Sequence, residues 1–279
     1  MKLVTTTSVY PIGSDPFFAL RSIRAHGFDA ADMALDYYND TPANRFRESD
    51  WRDRILRLRE LSDELGLPIT HAHSPYSFRE MGDPEKAVIL RRSVEAAALL
   101  GAKYMVVHPC HKDEAGQLIT DPETFLRVNR PLTEMLLDDA AKYDVVLLSE
   151  NLLWGATIDP VSISLLAAGI DSPYFGWCWD IGHGHLLGVE PERIKDCAVM
   201  PVSLHIQDNH RLGDEHLIPG DGTVDWARVF GVLKDVDYAG DFVLEAHHQS
   251  VEAKTQEERD AVLTRLEQTS RVLMRTYFS

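Results

Sequence analysis

The stretch WDIGHGHLLG (Trp179–Gly188), followed after a short spacer by SLHIQDNHRLGDEHLIPGDGTVDW (Ser203–Trp226), decides how the chain is read. It holds Asp180, His183, His205, Asp208, Asp214 and His216, hard and borderline ligands of the kind that suit a divalent cation. Asp180 and His205 each close an apolar run, Phe175 to Trp179 and Val202 to Leu204, so each is expected where a buried strand ends and a loop begins. Upstream, Val145 to Ser149 ends in Glu150; downstream, Phe242 to Leu244 ends in Glu245. An acid or an imidazole therefore closes each of four successive strands.

Working outward, β-like runs alternate with helix-like stretches along the whole chain. The strand candidates are Leu3–Thr6, Asp32–Leu35, Ile69–His73, Tyr104–His108, Val145–Glu150, Phe175–Asp180, Val202–His205 and Phe242–Glu245. Between the third and fourth of these, Ala87, Leu90, Val94 and Ala97 with Ala98 recur at helical spacing. Asp15-Pro16, Asp83-Pro84, Asp121-Pro122 and Asp159-Pro160 each place an N-cap acid before a proline at the first helical position, where the missing N–H costs nothing. Strands joined by crossover helices pair in parallel with right-handed connections. Eight such units predict an α/β fold, a single (β/α)8 TIM barrel, whose site lies at the C-terminal strand ends. No low-complexity linker or break in composition interrupts residues 1–279, so one domain is expected.

Composition bounds the function. With 44% hydrophobic and 26% charged residues the chain is ordinary for a globular protein. A formal net charge of −16 opposes nonspecific binding to nucleic acid or anionic membranes. Cys110, Cys178 and Cys197 show no CxxC spacing, the chain opens straight into a strand, and no apolar run approaches membrane-spanning length, so a cytoplasmic location is expected. Eleven of the 12 histidines, all but His26, fall at or just beyond an expected strand end. Loops expose polar residues anyway, but scatter would not place the whole set there.

The ordered motifs His73-Ser-Pro-Tyr76, Val107-His-Pro109, Ser149-Glu-Asn151, Trp179-Asp-Ile-Gly-His183, Leu204-His-Ile-Gln-Asp208, Asp214-x-His216, Pro219-Gly-Asp-Gly222 and Leu244-Glu245 carry a resemblance over essentially the full length. The chain resembles the xylose isomerase-like TIM-barrel superfamily, which includes sugar and sugar-phosphate isomerases and epimerases of the tagatose 3-epimerase type and also endonuclease IV. The epimerase branch implies a single divalent ion on Glu150, Asp180, His205 and Glu245, with His183 and Arg211 contacting substrate hydroxyls. The endonuclease branch implies a ligand set extended by His73, His108, His183, Asp214 and His216 and up to three zinc ions. One to three ions, zinc or manganese, are therefore expected.

That resemblance implies a metal-dependent carbohydrate isomerase or epimerase. An α-hydroxy carbonyl compound chelates a cation, which stabilises an enediolate and makes the neighbouring proton removable. Glu150 and Glu245, expected on strands five and eight, are the candidate catalytic bases; two bases permit epimerisation, and one suffices for aldose–ketose isomerisation. The alternatives are an abasic-site phosphodiesterase, which the acidic charge opposes, a carbohydrate lyase or deglycosidase, and a non-catalytic sugar-binding barrel. The partner expected is a small carbohydrate, not nucleic acid or a membrane, and a homodimer is compatible with the fold. Pro219-Gly220-Asp221-Gly222 reads as a turn before Asp225, the N-cap of a helix from Trp226; that helix start is a candidate phosphate site. Trp51, Tyr76, Phe78 and Trp154 are candidate pocket walls, Cys110 reads as a loop cysteine, and Asp36–Asp50, with Arg45 and Arg47, as a lid or dimer contact.

Overall fold

Every strand of the barrel stops at its C-terminal end on a residue that either packs or carries chemistry, and the topology brings these ends together. The structure, a computed structural model, describes residues 1–11, 13–35 and 45–278. The strands are β1 (Leu3–Thr6), β2 (Ala30–Ala34), β3 (Ile69–His73), β4 (Tyr104–Val107), β5 (Val146–Glu150), β6 (Phe175–Asp180), β7 (Ser203–His205) and β8 (Phe242–Leu244). All pair in parallel, in the order β7-β6-β5-β4-β3-β2-β1-β8. Ile206 closes the circle, donating to Val243 O at 2.9 Å and accepting from Glu245 N at 3.0 Å. The fold is a (β/α)8 TIM barrel.

The helices are α1 (Pro16–Ala25), α2 (Trp51–Leu65), α3 (Pro84–Leu100), α4 (Pro122–Tyr143), α5 (Pro160–Ile170), α6 (Ile181–Leu186), α7 (Trp226–Asp235), α8 (His248–Glu252) and α9 (Gln256–Phe278). All four Asp-Pro signals start helices: Asp15, Asp83, Asp121 and Asp159 accept from the amides of Phe17, Glu85 with Lys86, Thr124 and Val161. Each such cap is worth about 1 kcal/mol. Among the described residues no helix is long and apolar enough to cross a membrane.

Alternation along the strands splits the core in two. Leu3, Met105, Leu147, Trp177, Leu204 and Phe242 join the helices in the large outer core. Val106, Val146, Leu148 and Cys178 form one smaller cluster, and Val4, Ala30 and Val243 another. With a period of two, the face that carries Leu148 and Cys178 also carries Glu150 and Asp180. β2 runs from Ala30 to Ala34 rather than over Asp32–Leu35, because Ala30 and Ala31 pair with Val4 and Thr5 of β1 despite their weak β propensity. Of the expected loop Asp36–Asp50, residues 36–44 lie outside the described residues; Arg45–Arg47 form a short 3-10 turn.

Candidate metal centre and cavity

Three groups of side chains meet at the C-terminal mouth, each with its ligand atoms within 4.8 Å of one another: Glu150, Asp180, His205 and Glu245; His73, His108 and Glu150; and His183, Asp214 and His216. Glu150, shared by two groups, is buried at the end of β5. His205 Nδ1 stands 3.0 Å from Glu150 Oε1 and 3.3 Å from Glu245 Oε2. His108 Nε2 lies 3.3 Å from Glu150 Oε2, and 3.1 Å from His73 Nε2. His183 Nε2 and His216 Nε2 approach Asp214 Oδ2 at 3.4 and 3.1 Å.

Asp180 shows why one residue can end a strand and serve a site. Its Oδ1 caps α6, accepting His183 N at 2.6 Å. Its backbone is clamped by Asn151, whose amide donates to Asp180 O at 2.9 Å and whose Oδ1 accepts Asp180 N at 2.8 Å. Asp180 Oδ2 is left buried without a hydrogen bond, as is Glu150 Oε2. Buried carboxylate oxygens without donors are rare and costly.

The imidazoles are aimed from behind. Nδ1–H of His73 donates to Ser74 O, that of His183 to Asn151 O, and that of His216 to Glu245 O, at 3.1, 2.8 and 2.9 Å. A carbonyl only accepts, so each Nδ1 holds a proton and each Nε2 is left facing the site, protonated while the imidazole is charged and free to ligate once a cation displaces that proton. This is the outer-shell arrangement of ligating histidines. Gln207 donates to Asp214 Oδ1 at 2.9 Å. It fits because residue 182 is glycine: a Cβ there would overlap the Gln207 amide.

Electrostatics point the same way. Burial pushes the Asp180 carboxyl up to about 7. Burial also opposes ionisation of Glu150 and Glu245, yet the His205 charge beside them holds both well below the usual carboxylate range. His216, though buried, is lifted to about 9, chiefly by its contact with Asp214, and His183 is raised by Asp180 and Asp214. The positive charge that these imidazoles carry stands where a cation's charge is wanted. Orphaned oxygens, aimed Nε2 atoms and a mixed carboxylate–imidazole donor set together fit a divalent ion.

Above these groups opens a cavity of about 230 Å³, lined on other sides by Thr6, Ser8, Ala34, Leu152, Leu153, Trp154 and His247. Nothing in the local sequence singled out Thr6 or Ser8. His247 lies two residues beyond Glu245 and donates through Nδ1 to the same Glu245 carbonyl, at 2.8 Å.

Some expectations fail. Arg211 does not line this cavity: its backbone is left-handed, φ 63°, and its guanidinium lies 3.4 Å from His185 Nδ1. Asp208 is no free ligand, since it accepts the amides of Asn209, Gly220 and Val224 and the indole N–H of Trp226. At the start of α7, where a phosphate site was anticipated, Asp225 caps the helix as expected by accepting Arg228 N, and that helix start does not line the cavity. Trp51 and Phe78 are buried, packing on Phe46 and Phe175, and Tyr76 packs against the core; none lines the cavity, whereas Trp154 does. His71 lies within β3, below the mouth, where burial pushes it down to about 3. Cys110 is buried and unpaired, its thiol pushed up to about 12 by burial.

The fold and site together define a (β/α)8 barrel whose C-terminal mouth gathers carboxylates and imidazoles. Residues 20–266 match the family described as xylose isomerase-like TIM barrel, and the chain belongs to that family. L-ribulose-5-phosphate 3-epimerase UlaE of Salmonella paratyphi B is 25% identical over 269 residues, covering 92% of each chain. Among solved structures, a D-tagatose 3-epimerase-like protein superposes with a TM-score of 0.75 at 23% identity, covering 99% of this chain and 98% of its own. The IolI protein with a bound zinc atom superposes with a TM-score of 0.78 at 18% identity over the full length of both. At these identities the two structures speak for the fold.

Proposed function

We propose that this protein is a divalent-metal-dependent epimerase or isomerase of a carbohydrate, acting by proton removal next to a carbonyl. The observation that carries the reading is the convergence of Glu150 and Glu245, from β5 and the end of β8, on His205 Nδ1 at 3.0 and 3.3 Å beneath a cavity of about 230 Å³. The epimerase relative and the zinc bound in IolI support it. Glu150, Asp180, His205 and Glu245 would hold one ion, zinc or manganese; His73, His108, His183, Asp214 and His216 offer places for a second or third. Such an ion, when bound, supplies Lewis-acid stabilisation of the negative charge that builds on the carbonyl oxygen as the neighbouring proton leaves, as in an enediolate.

The chain's own groups do the rest. Glu150 and Glu245, both kept ionised, are the candidates to take a proton from one face of the sugar and return one to the other. His183, anchored on Asn151 O, presents Nε2 to the site. Free, buried cysteines support a reducing, cytoplasmic setting.

Exchange of the substrate proton in deuterated water tests the reading across a panel of ketoses and aldoses. Glu245→Gln, with metal content verified, should lower exchange by about 10²–10⁴-fold. Undiminished exchange in that metal-loaded variant would rule out the two-carboxylate mechanism. The three adjoining ligand groups favour, as a second reading, the endonuclease IV-like phosphodiesterase. Efficient nicking of an abasic-site duplex, lost in Glu245→Gln, would put that reading first.

A further inference from the structure

The charge of the cavity wall bears on the substrate. Among the described residues that line it, none is lysine or arginine, and residues 36–44 contain neither type. Two arginines of the rim loops are engaged elsewhere: Arg211 rests against His185, and Arg45 lines a separate small cavity with Tyr10 and Met33. The acids that line it are Glu150, Asp214 and Glu245, beside the imidazoles of His73, His108, His183, His216 and His247.

A sugar phosphate carries a charge of about −1.5 to −2 at neutral pH and needs charge-assisted donors to replace its hydration. In barrels of this architecture a helix start in the late loops can supply them. Here Asp225 caps that helix start, and residues 220–224 before it are tied to the Asp208 carboxylate, which accepts Gly220 N at 2.8 Å, Val224 N at 3.0 Å and Trp226 Nε1 at 2.9 Å; neither they nor the helix start line the cavity. Leu152, Leu153 and Trp154 supply apolar lining to the same cavity. Trp154 is half exposed, and its ring sits 4.9 Å from that of His111.

We propose that the site takes a neutral, unphosphorylated carbohydrate whose C–H face lies against Leu152, Leu153 and Trp154. This rests on the epimerase reading and deepens it, separating the chain from a relative whose name specifies a 5-phosphate. The ion and its imidazoles are taken up at the carbonyl end of the substrate, so a terminal phosphate at the other end would find no lysine or arginine among the described lining residues to offset its desolvation, whereas a sugar's hydroxyls find Thr6 and Ser8, and its apolar face finds Trp154.

Metal-loaded protein offered L-ribulose and L-ribulose 5-phosphate, and D-fructose and D-fructose 6-phosphate, in deuterated water gives the test. Exchange should favour the free sugar in kcat/KM by about tenfold or more. Leu153→Lys should narrow or reverse that ratio, and Trp154→Ala should raise KM for the free sugar with little change in kcat. A wild-type preference for the phosphate ester would overturn the proposal. Exchange with no sugar would instead count against the reaction, and titration with inorganic phosphate then decides the charge. Micromolar binding by the wild type would overturn the proposal, and binding that emerges only in Leu153→Lys would support it.

Discussion

At the N-terminal end of the barrel, Asp29 pairs with Arg271 through two bonds of 2.8 Å and also accepts Leu3 N, while Lys103 reaches both the carboxylate and the carbonyl of Asp144. At the C-terminal end, Glu150, Asp180, Asp214 and Glu245 face one another and a ring of imidazoles, with two buried oxygens that no hydrogen bond satisfies. The first arrangement lowers the free energy of the folded chain; the second raises it and is relieved by a ligand of opposite charge. Asp208 sharpens the contrast, because it belongs to the mouth by position yet is saturated like an acid of the floor. Proximity to the site therefore does not decide an acid's role; what its oxygens touch does.

The sharpest way to break this comparison is Asp208→Ala. It would leave the Gly220 and Val224 amides and the Trp226 indole without their acceptor, at about 1–3 kcal/mol each when buried. Urea unfolding should show a loss of at least about 3 kcal/mol with metal content preserved. Loss of metal without loss of stability would make Asp208 a ligand after all.

Asp180→Asn should do the reverse, stabilising the metal-free protein by about 1 kcal/mol, a rise in Tm of about 2–4 °C, while lowering metal content. The sign follows from burial, which lifts the Asp180 carboxyl from 3.8 to about 7 in the folded chain. The folded state thus holds the proton more tightly, and the penalty grows as pH rises across that interval. The gap between variant and wild type should be widest above about pH 7 and close near pH 4. A variant that melts lower in the metal-free state would refute it.

The smallest effect belongs to the floor. Arg271→Ala should cost about 1 kcal/mol, since the pair is partly exposed, and leave proton exchange untouched. The hydrogen bond from Arg271 holds the Asp29 carboxyl below its ordinary 3.8, so its contribution is complete above that value and fades as pH falls through the lower folded one. Denaturation curves of variant and wild type should converge in acid; an equal gap at all pH would assign the loss to packing of the Arg271 stem.

Much of this was legible in the chain. The eight strands, the four Asp-Pro caps and the strand-end placement of Glu150, Asp180, His205 and Glu245 follow from local rules: apolar runs bury, an acid before proline starts a helix, and a polar residue after a run meets the loop. Those rules need only neighbours in sequence, and the barrel supplies the rest by closing.

What only the tertiary structure decided is how each polar atom is used. Asp208 and Asp214 stand in one loop with the same side chain, yet one is consumed by amides from residues 209–224 and the other faces two imidazoles. Arg211 shares its loop with both, yet its guanidinium meets His185 and not the cavity, a placement that no motif announces. Thr6, Ser8 and His247 join the cavity only because β1 closes on β8. A hydrogen bond or a desolvation depends on groups tens to hundreds of residues apart, so residue type and spacing name the candidates while packing assigns their partners.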